Sequence, residues 1–166
     1  MSSPKARSFW PLFLSVLLTD CATKQLAVER LAPAYTPHEV LGDWIRLVLA
    51  YNRGAAMGLP LGSWARPLLA VVAMAMLGLL WVWYQRTTPR DRMTAAALGL
   101  IAGGALGNLL DRMRWNRGVV DFVDIGLGSV RFWTFNVADV AITCGAVWLA
   151  WRLGHREAKP PEQAAA

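Results

Sequence analysis

Side chains that bind metals or act as nucleophiles are scarce in this sequence, which has two cysteines and two histidines among 166 residues. Cys21 and Cys144 both lie inside apolar segments, and their spacing fits neither a zinc site nor a redox pair. They read as small buried hydrophobes. His38 falls in a connecting loop and His155 in the C-terminal tail, so no Ser-His pairing and no metal cluster is expected. No cofactor is implied. Basic residues outnumber acidic ones by 17 to 11, yet they form no single stripe with interleaved aromatics, which argues against a nucleic-acid partner. There is also no internal repeat.

Apolar residues, by contrast, are in excess. They make up 55% of the chain, tryptophan occurs nine times, and the mean hydropathy is positive. A soluble domain of this size would be hard to keep in solution with that composition. The basic residues sit mostly beside the apolar runs, as charges that flank membrane spans do.

Crossing the hydrocarbon core takes about 20 mainly apolar residues, and four stretches approach that length: Phe9 to Arg30, Pro67 to Tyr84, Thr94 to Leu110 and Phe132 to Leu153. The second carries no charge and ends in an aromatic cluster suited to the interface. In the third, Gly103 and Gly107 make a small-xxx-small pair that lets another helix approach closely. Leu18-Thr-Asp-Cys21 superficially suits lipoprotein processing, but the acid and the continuing apolar segment favour a retained first span.

Four crossings put both termini on one side. The N-tail, the loop Gln85 to Met93 and the C-tail together hold eight Lys or Arg in short segments, which favours a cytoplasmic location for the termini. Of the outer connections, Trp44 to Tyr51 is rich in strand formers and is followed by the glycine-broken Asn52-Arg-Gly-Ala-Ala-Met-Gly58. The connection from Met113 to Arg131 is expected to lie along the membrane surface. The fold class is therefore an all-α integral membrane protein with four transmembrane helices, a small extracytoplasmic β-sheet and a surface segment between the third and fourth helices. Residues 1–155 form one domain, and 156–166 a disordered cytoplasmic tail.

Charged groups at the bilayer centre cost about 2.5–3.5 kcal/mol, so those that persist face the protein interior. Asp20 and Lys24 share a face of the first span, either as a structural ion pair, the favoured reading, or as catalytic groups. Asn108, Asp111 and Arg112 close the third span, either as anchors or as groups orienting a site. Asp121 follows Val119-Val120 near the outer interface, and Asn136 and Asp139 point the same way on the fourth helix. If Asp121 and Asp139 converge, one proton is shared between them, and the site holds a general acid and a general base at neutral pH. Residue types alone leave three readings open: a proteolytic dyad, a transporter or proton pathway built on the same acids, and simple structural contacts.

The ordered motifs resemble the lipoprotein signal peptidase family, also called signal peptidase II. The resemblance is carried by Asp20-Cys-Ala-Thr-Lys24, Asn52-Arg-Gly-Ala-Ala-Met-Gly58, Gly103-Gly-Ala-Leu-Gly-Asn-Leu-Leu-Asp-Arg112, Val119-Val-Asp-Phe-Val-Asp124 and Phe132-Trp-Thr-Phe-Asn-Val-Ala-Asp139. It implies Asp121 and Asp139 as catalytic residues, with Asp124 second to Asp121. The supporting residues it implies are Asp20, Lys24, Asn52, Gly54, Asn108, Arg112, Asn136 and Ala138. No metal or cofactor is implied. The implied enzyme is a monomeric bacterial inner-membrane endopeptidase, with its site near the periplasmic face. Its partners would be membrane lipid and a lipid-modified prolipoprotein, cut on the N-terminal side of the diacylglyceryl-cysteine. Met57 and Trp133 depart from the family's usual aromatic and proline.

Overall fold

In the computed structural model, which describes residues 3–54 and 64–157, helix α1 (Pro4–Arg30) starts with proline in its first turn. A missing N–H is harmless there, and the Ser3 hydroxyl accepts from the Ala6 amide at 3.4 Å. Three more long helices follow: α2 (Ala65–Arg86), α3 (Arg92–Arg114) and α4 (Val137–Glu157). All four are long and apolar enough to cross a bilayer. Lys5 also fastens the end of α2, its ammonium donating to the carbonyls of Tyr84 at 2.9 Å and Thr87 at 2.8 Å.

Helix α3 is the centre of the bundle. Some 61% of its apolar window is buried inside the protein, against 11–22% for the other three spans. Its alanines and glycines make this possible, because small side chains let neighbours approach on several sides at once. Gly99, Gly103 and Gly107 form a groove for α1: a methyl group on them would lie 2.7 Å from the Phe9 carbonyl oxygen, 2.7 Å from that of Phe13 and 2.4 Å from Asp20 Oδ2. Gly104 faces α4 instead, where a methyl group would lie 2.5 Å from the Ala138 carbonyl oxygen.

The connections build a four-stranded antiparallel sheet in the order β1-β2-β3-β4, with β1 (Pro37–Leu41), β2 (Ile45–Asn52), β3 (Val119–Leu127) and β4 (Val130–Arg131). The strand expected at 44–51 is β2. The segment expected to lie along the membrane surface does more than that, because its β-branched run Val119-Val-Asp-Phe-Val123 pairs with β2 and continues the sheet. Gly118 leads into β3 with φ +101° and with the Asn52 carbonyl so close that a side chain would meet it at 2.2 Å, which only glycine tolerates. Leu49, Val120 and Phe122 bury against Ala27 of α1, seating the sheet on one end of the bundle.

Several span boundaries shift, and two of the shifts bear on the polar end of the bundle. α4 begins at Val137 rather than Phe132, because Phe135 pairs with Val123 as extended chain and Asn136 serves as the helix cap. α3 runs one turn past Leu110, which brings Asp111 and Arg112 within the helix. Residues 55–58 of the glycine-broken stretch, Met57 included, and the tail from 158 onward lie outside the described residues.

Candidate active site

The polar groups of α1, α3, β3 and α4 meet at the end of the bundle that carries the sheet. Asn136 is the pivot. Its side-chain Oδ1 accepts from the Asp139 amide at 3.0 Å, while its own amide donates to Asp139 Oδ2 at 3.2 Å. This reciprocal pair caps the first turn of α4. The remaining group of Asn136, Nδ2, donates to Asp121 Oδ1 at 2.6 Å, to Asn108 Oδ1 at 3.2 Å and to the Val120 carbonyl at 3.2 Å. One residue therefore touches both carboxylates, through its side chain on Asp121 and through its backbone on Asp139.

Asn108 supplies a second link, its Nδ2 donating to Asp139 Oδ1 at 2.9 Å. Both Asp139 oxygens thus hold protein N–H donors. The Asn52 side chain, whose Oδ1 accepts from the Gly54 amide at 3.1 Å, lies near enough to Asp121 to favour its ionised form. Asp121 is 3% exposed. Burial first, and then the nearby charge of Asp139, push its carboxyl up to about 7, against the hydrogen bond from Asn136 and the nearby Asn52 side chain, which favour the ionised form.

Beneath the two acids lies a buried ion cluster. Lys24 Nζ is 2.8 Å from Asp20 Oδ2 and 3.0 Å from Asp111 Oδ2, and it donates to Asn108 Oδ1 at 2.8 Å. Asp20 Oδ1 accepts from the Ala138 amide at 2.9 Å, so a residue of α1 satisfies a free N–H in the first turn of α4. The absence of a side chain at Gly107 is what admits Asp20. Asp111 Oδ2 also accepts from the Val120 amide at 3.1 Å, which ties α3 to the strand residue preceding Asp121.

Arg112 Nη1 donates to the Asn108 carbonyl at 3.1 Å on its own helix, and its charge is felt by Asp139 and Asp121. The sequence-derived residues Asp20, Lys24, Asn52, Gly54, Asn108, Arg112, Asp121, Asn136, Ala138 and Asp139 all belong to this one constellation. Asp111, singled out in the sequence with Asn108 and Arg112 but not among the supporting residues the resemblance implied, belongs to it too. Its position three residues after Asn108, in the same motif, was the available signal.

Asp124 stands apart. Three residues along a regular strand from Asp121, it points to the opposite face. There Arg46 Nη2 lies at 2.9 Å and Arg131 Nε at 3.0 Å. Burial alone would raise its carboxyl, but hydrogen bonds from Arg131 and Arg46 outweigh burial and hold it below the usual carboxylate range. Among the described residues, no group of three His, Cys, Asp or Glu is arranged to hold a metal ion.

This architecture has known counterparts. Residues 12–154 match the family model described as signal peptidase (SPase) II. A lipoprotein signal peptidase of Coxiella burnetii is 39% identical over 155 residues, covering 90% of this chain and 93% of that protein. One of Pseudomonas putida is 40% identical over 142 residues, covering 84% and 82%. A bacterial membrane enzyme solved by the in meso method at 2.3 Å resolution shares the fold with a TM-score of 0.81 at 24% identity, over 93% of this chain and 92% of that one.

Proposed function

Since the chain belongs to the signal peptidase II family, we propose that it is an aspartic endopeptidase whose dyad, Asp121 and Asp139, removes signal peptides from lipid-modified prolipoproteins. The observation that carries the mechanism is the double contact of Asn136, which draws a strand carboxylate and a helix carboxylate to the same residue. The pair shares one proton. The ionised partner takes a proton from a water, which attacks the scissile carbonyl. The protonated partner donates to the developing oxyanion; as the tetrahedral intermediate collapses and its C–N bond breaks, the carboxyl that took the water's proton gives it to the leaving amine, and the diol proton returns to the other. Neither step calls for a metal or cofactor.

The remaining residues hold the dyad in position. Asn136 and Asn108 orient Asp139, Asn52 orients Asp121, and the Lys24 cluster together with Ala138 fixes the start of α4. Arg112 offsets part of the negative charge. The site lies at the helix ends, where a peptide anchored by two acyl chains can reach it without leaving the bilayer. Cleavage falls on the N-terminal side of the lipidated cysteine.

The chain is a bacterial membrane protein, and the density of Lys and Arg supports cytoplasmic termini with the dyad near the periplasmic face. Residues 1–155 act as one domain and as a monomer, since both acids come from one chain. A transport path would need polar groups along the length of the spans, whereas α2 carries no charge between Arg66 and Arg86.

The test uses purified wild type, Asp121→Asn and Asp139→Asn with a lipid-modified precursor in detergent. Each variant should lose cleavage by at least about 1,000-fold while keeping the wild-type unfolding profile. Full cleavage by either one would overturn the dyad.

A further inference from the structure

The opposite end of the bundle carries a different kind of site. Leu79, Val82, Trp83 and Arg86 occupy positions i, i+3, i+4 and i+7 of α2, one stripe that is apolar for two turns and basic at its end. This stripe walls a cleft of about 540 Å³, with Leu153 of α4 across from it and the α2–α3 turn at its base. That volume lies within the roughly 300–1,000 Å³ typical of ligand sites. The long side chains of the stripe are exposed rather than packed against another helix, Leu79 by 66%.

The charges around the cleft favour an anion. Arg86 lines it, and Arg152 of α4 brings a second guanidinium, its Nη2 3.8 Å from Asp91 Oδ1 at the rim. Among the described residues Asp91 is the one acid lining the cleft, and its carboxylate already accepts from the Thr94 amide at 3.1 Å and the Thr94 hydroxyl at 2.8 Å. Arg152 Nε is buried and makes no hydrogen bond among the described residues. The Arg152 side chain as a whole is still one-third exposed, and a guanidinium reaching solvent beside an apolar wall suits a phosphate with an acyl chain attached.

We propose that this cleft binds one anionic phospholipid of the leaflet opposite the dyad. The phosphate sits between Arg86 and Arg152, and an acyl chain lies along Leu79, Val82 and Leu153. This assignment stands whether or not the peptidase reading holds.

The test titrates delipidated full-length protein with phosphatidylglycerol and with phosphatidylcholine of the same chains, read by native mass spectrometry. Two arginines at a membrane surface should favour phosphatidylglycerol by roughly 30-fold, and Arg86→Gln or Arg152→Gln should each remove about fivefold of that preference. Precursor cleavage should be unchanged, because both residues lie at the far end from the dyad. Equal retention of the two lipids by wild type, or a wild-type preference in the double variant, overturns the proposal. Thermal unfolding of the wild type supplies an arm that needs no variant. A rise in Tm with phosphatidylglycerol alone supports the site, and equal rises with both lipids sink it.

Discussion

Replacing Lys24 by methionine keeps the length of the side chain and removes its charge from a site where it is 3% exposed. Two carboxylates lose their cation together, Asp20 at 2.8 Å and Asp111 at 3.0 Å. Each keeps one backbone donor, the Ala138 amide for Asp20 and the Val120 amide for Asp111, so neither is wholly abandoned. Breaking a buried pair from one side typically costs about 3–5 kcal/mol, because the desolvated partner remains. Cooperative unfolding should therefore shift down on the order of 10 °C. The assay is thermal unfolding in detergent, followed by tryptophan fluorescence. Adding Asp111→Leu to Lys24→Met removes one of the stranded acids and should recover part of the loss, a non-additivity that a double-mutant cycle measures. If Lys24→Met unfolds within a degree or two of wild type, or if the double variant is no more stable than the single, the Lys24 cluster does not hold this end of the bundle together.

Gly107→Ala should displace Asp20 from the Ala138 amide, since its methyl group would lie 2.4 Å from Asp20 Oδ2, at a cost of about 1–3 kcal/mol and with reduced cleavage. Gly78→Ala on α2 meets nothing within 4 Å and should raise stability by about 0.5–1 kcal/mol, so equal behaviour of the two alanines in unfolding would contradict the packing. For Asp121, raised from 3.8 to about 7, the protonated carboxyl persists through the acidic range, so the alkaline limb of the cleavage profile should fall near pH 7; a flat profile from pH 5 to 9 rules this out. The same carboxyl should cost stability as pH rises from 3.8 to about 7, by about 4 kcal/mol in all, since the unfolded chain releases its proton first; unfolding at pH 4 and pH 8 compares the two ends. Asp124→Asn should loosen the grip of Arg46 and Arg131 on the sheet by about 1–3 kcal/mol while single-turnover cleavage survives, and loss of the chemical step would return Asp124 to the catalytic set.

Much of the site was legible because membrane chemistry makes polar residues conspicuous. Asp20, Lys24, Asn108, Asp121, Asn136 and Asp139 stand in apolar surroundings where a charge or amide needs a reason, and motif spacing supplied the order. Asp111 was harder to select, because an acid beside arginines at a helix end also suits a solvated terminus. The pairing of β3 with β2 was missed for a related cause. A β-branched run near a membrane boundary has the same composition whether it lies flat or joins a sheet, and the partner strand sits about 70 residues earlier in the chain.

Length and hydropathy by themselves determined the four spans, since a helix must satisfy its own backbone across some 30 Å of hydrocarbon, and among the described residues these four helices are long and apolar enough to do so. The identity of the two candidate acids followed from residue type and position. Only the tertiary structure decided that Asn136 reaches both acids, that Asp20 caps a helix more than 100 residues away, and that Asp124 turns from the site toward two arginines. Those outcomes depend on distances of a few ångströms between groups remote in sequence, set by how closely α1 and α4 can approach the glycines of α3.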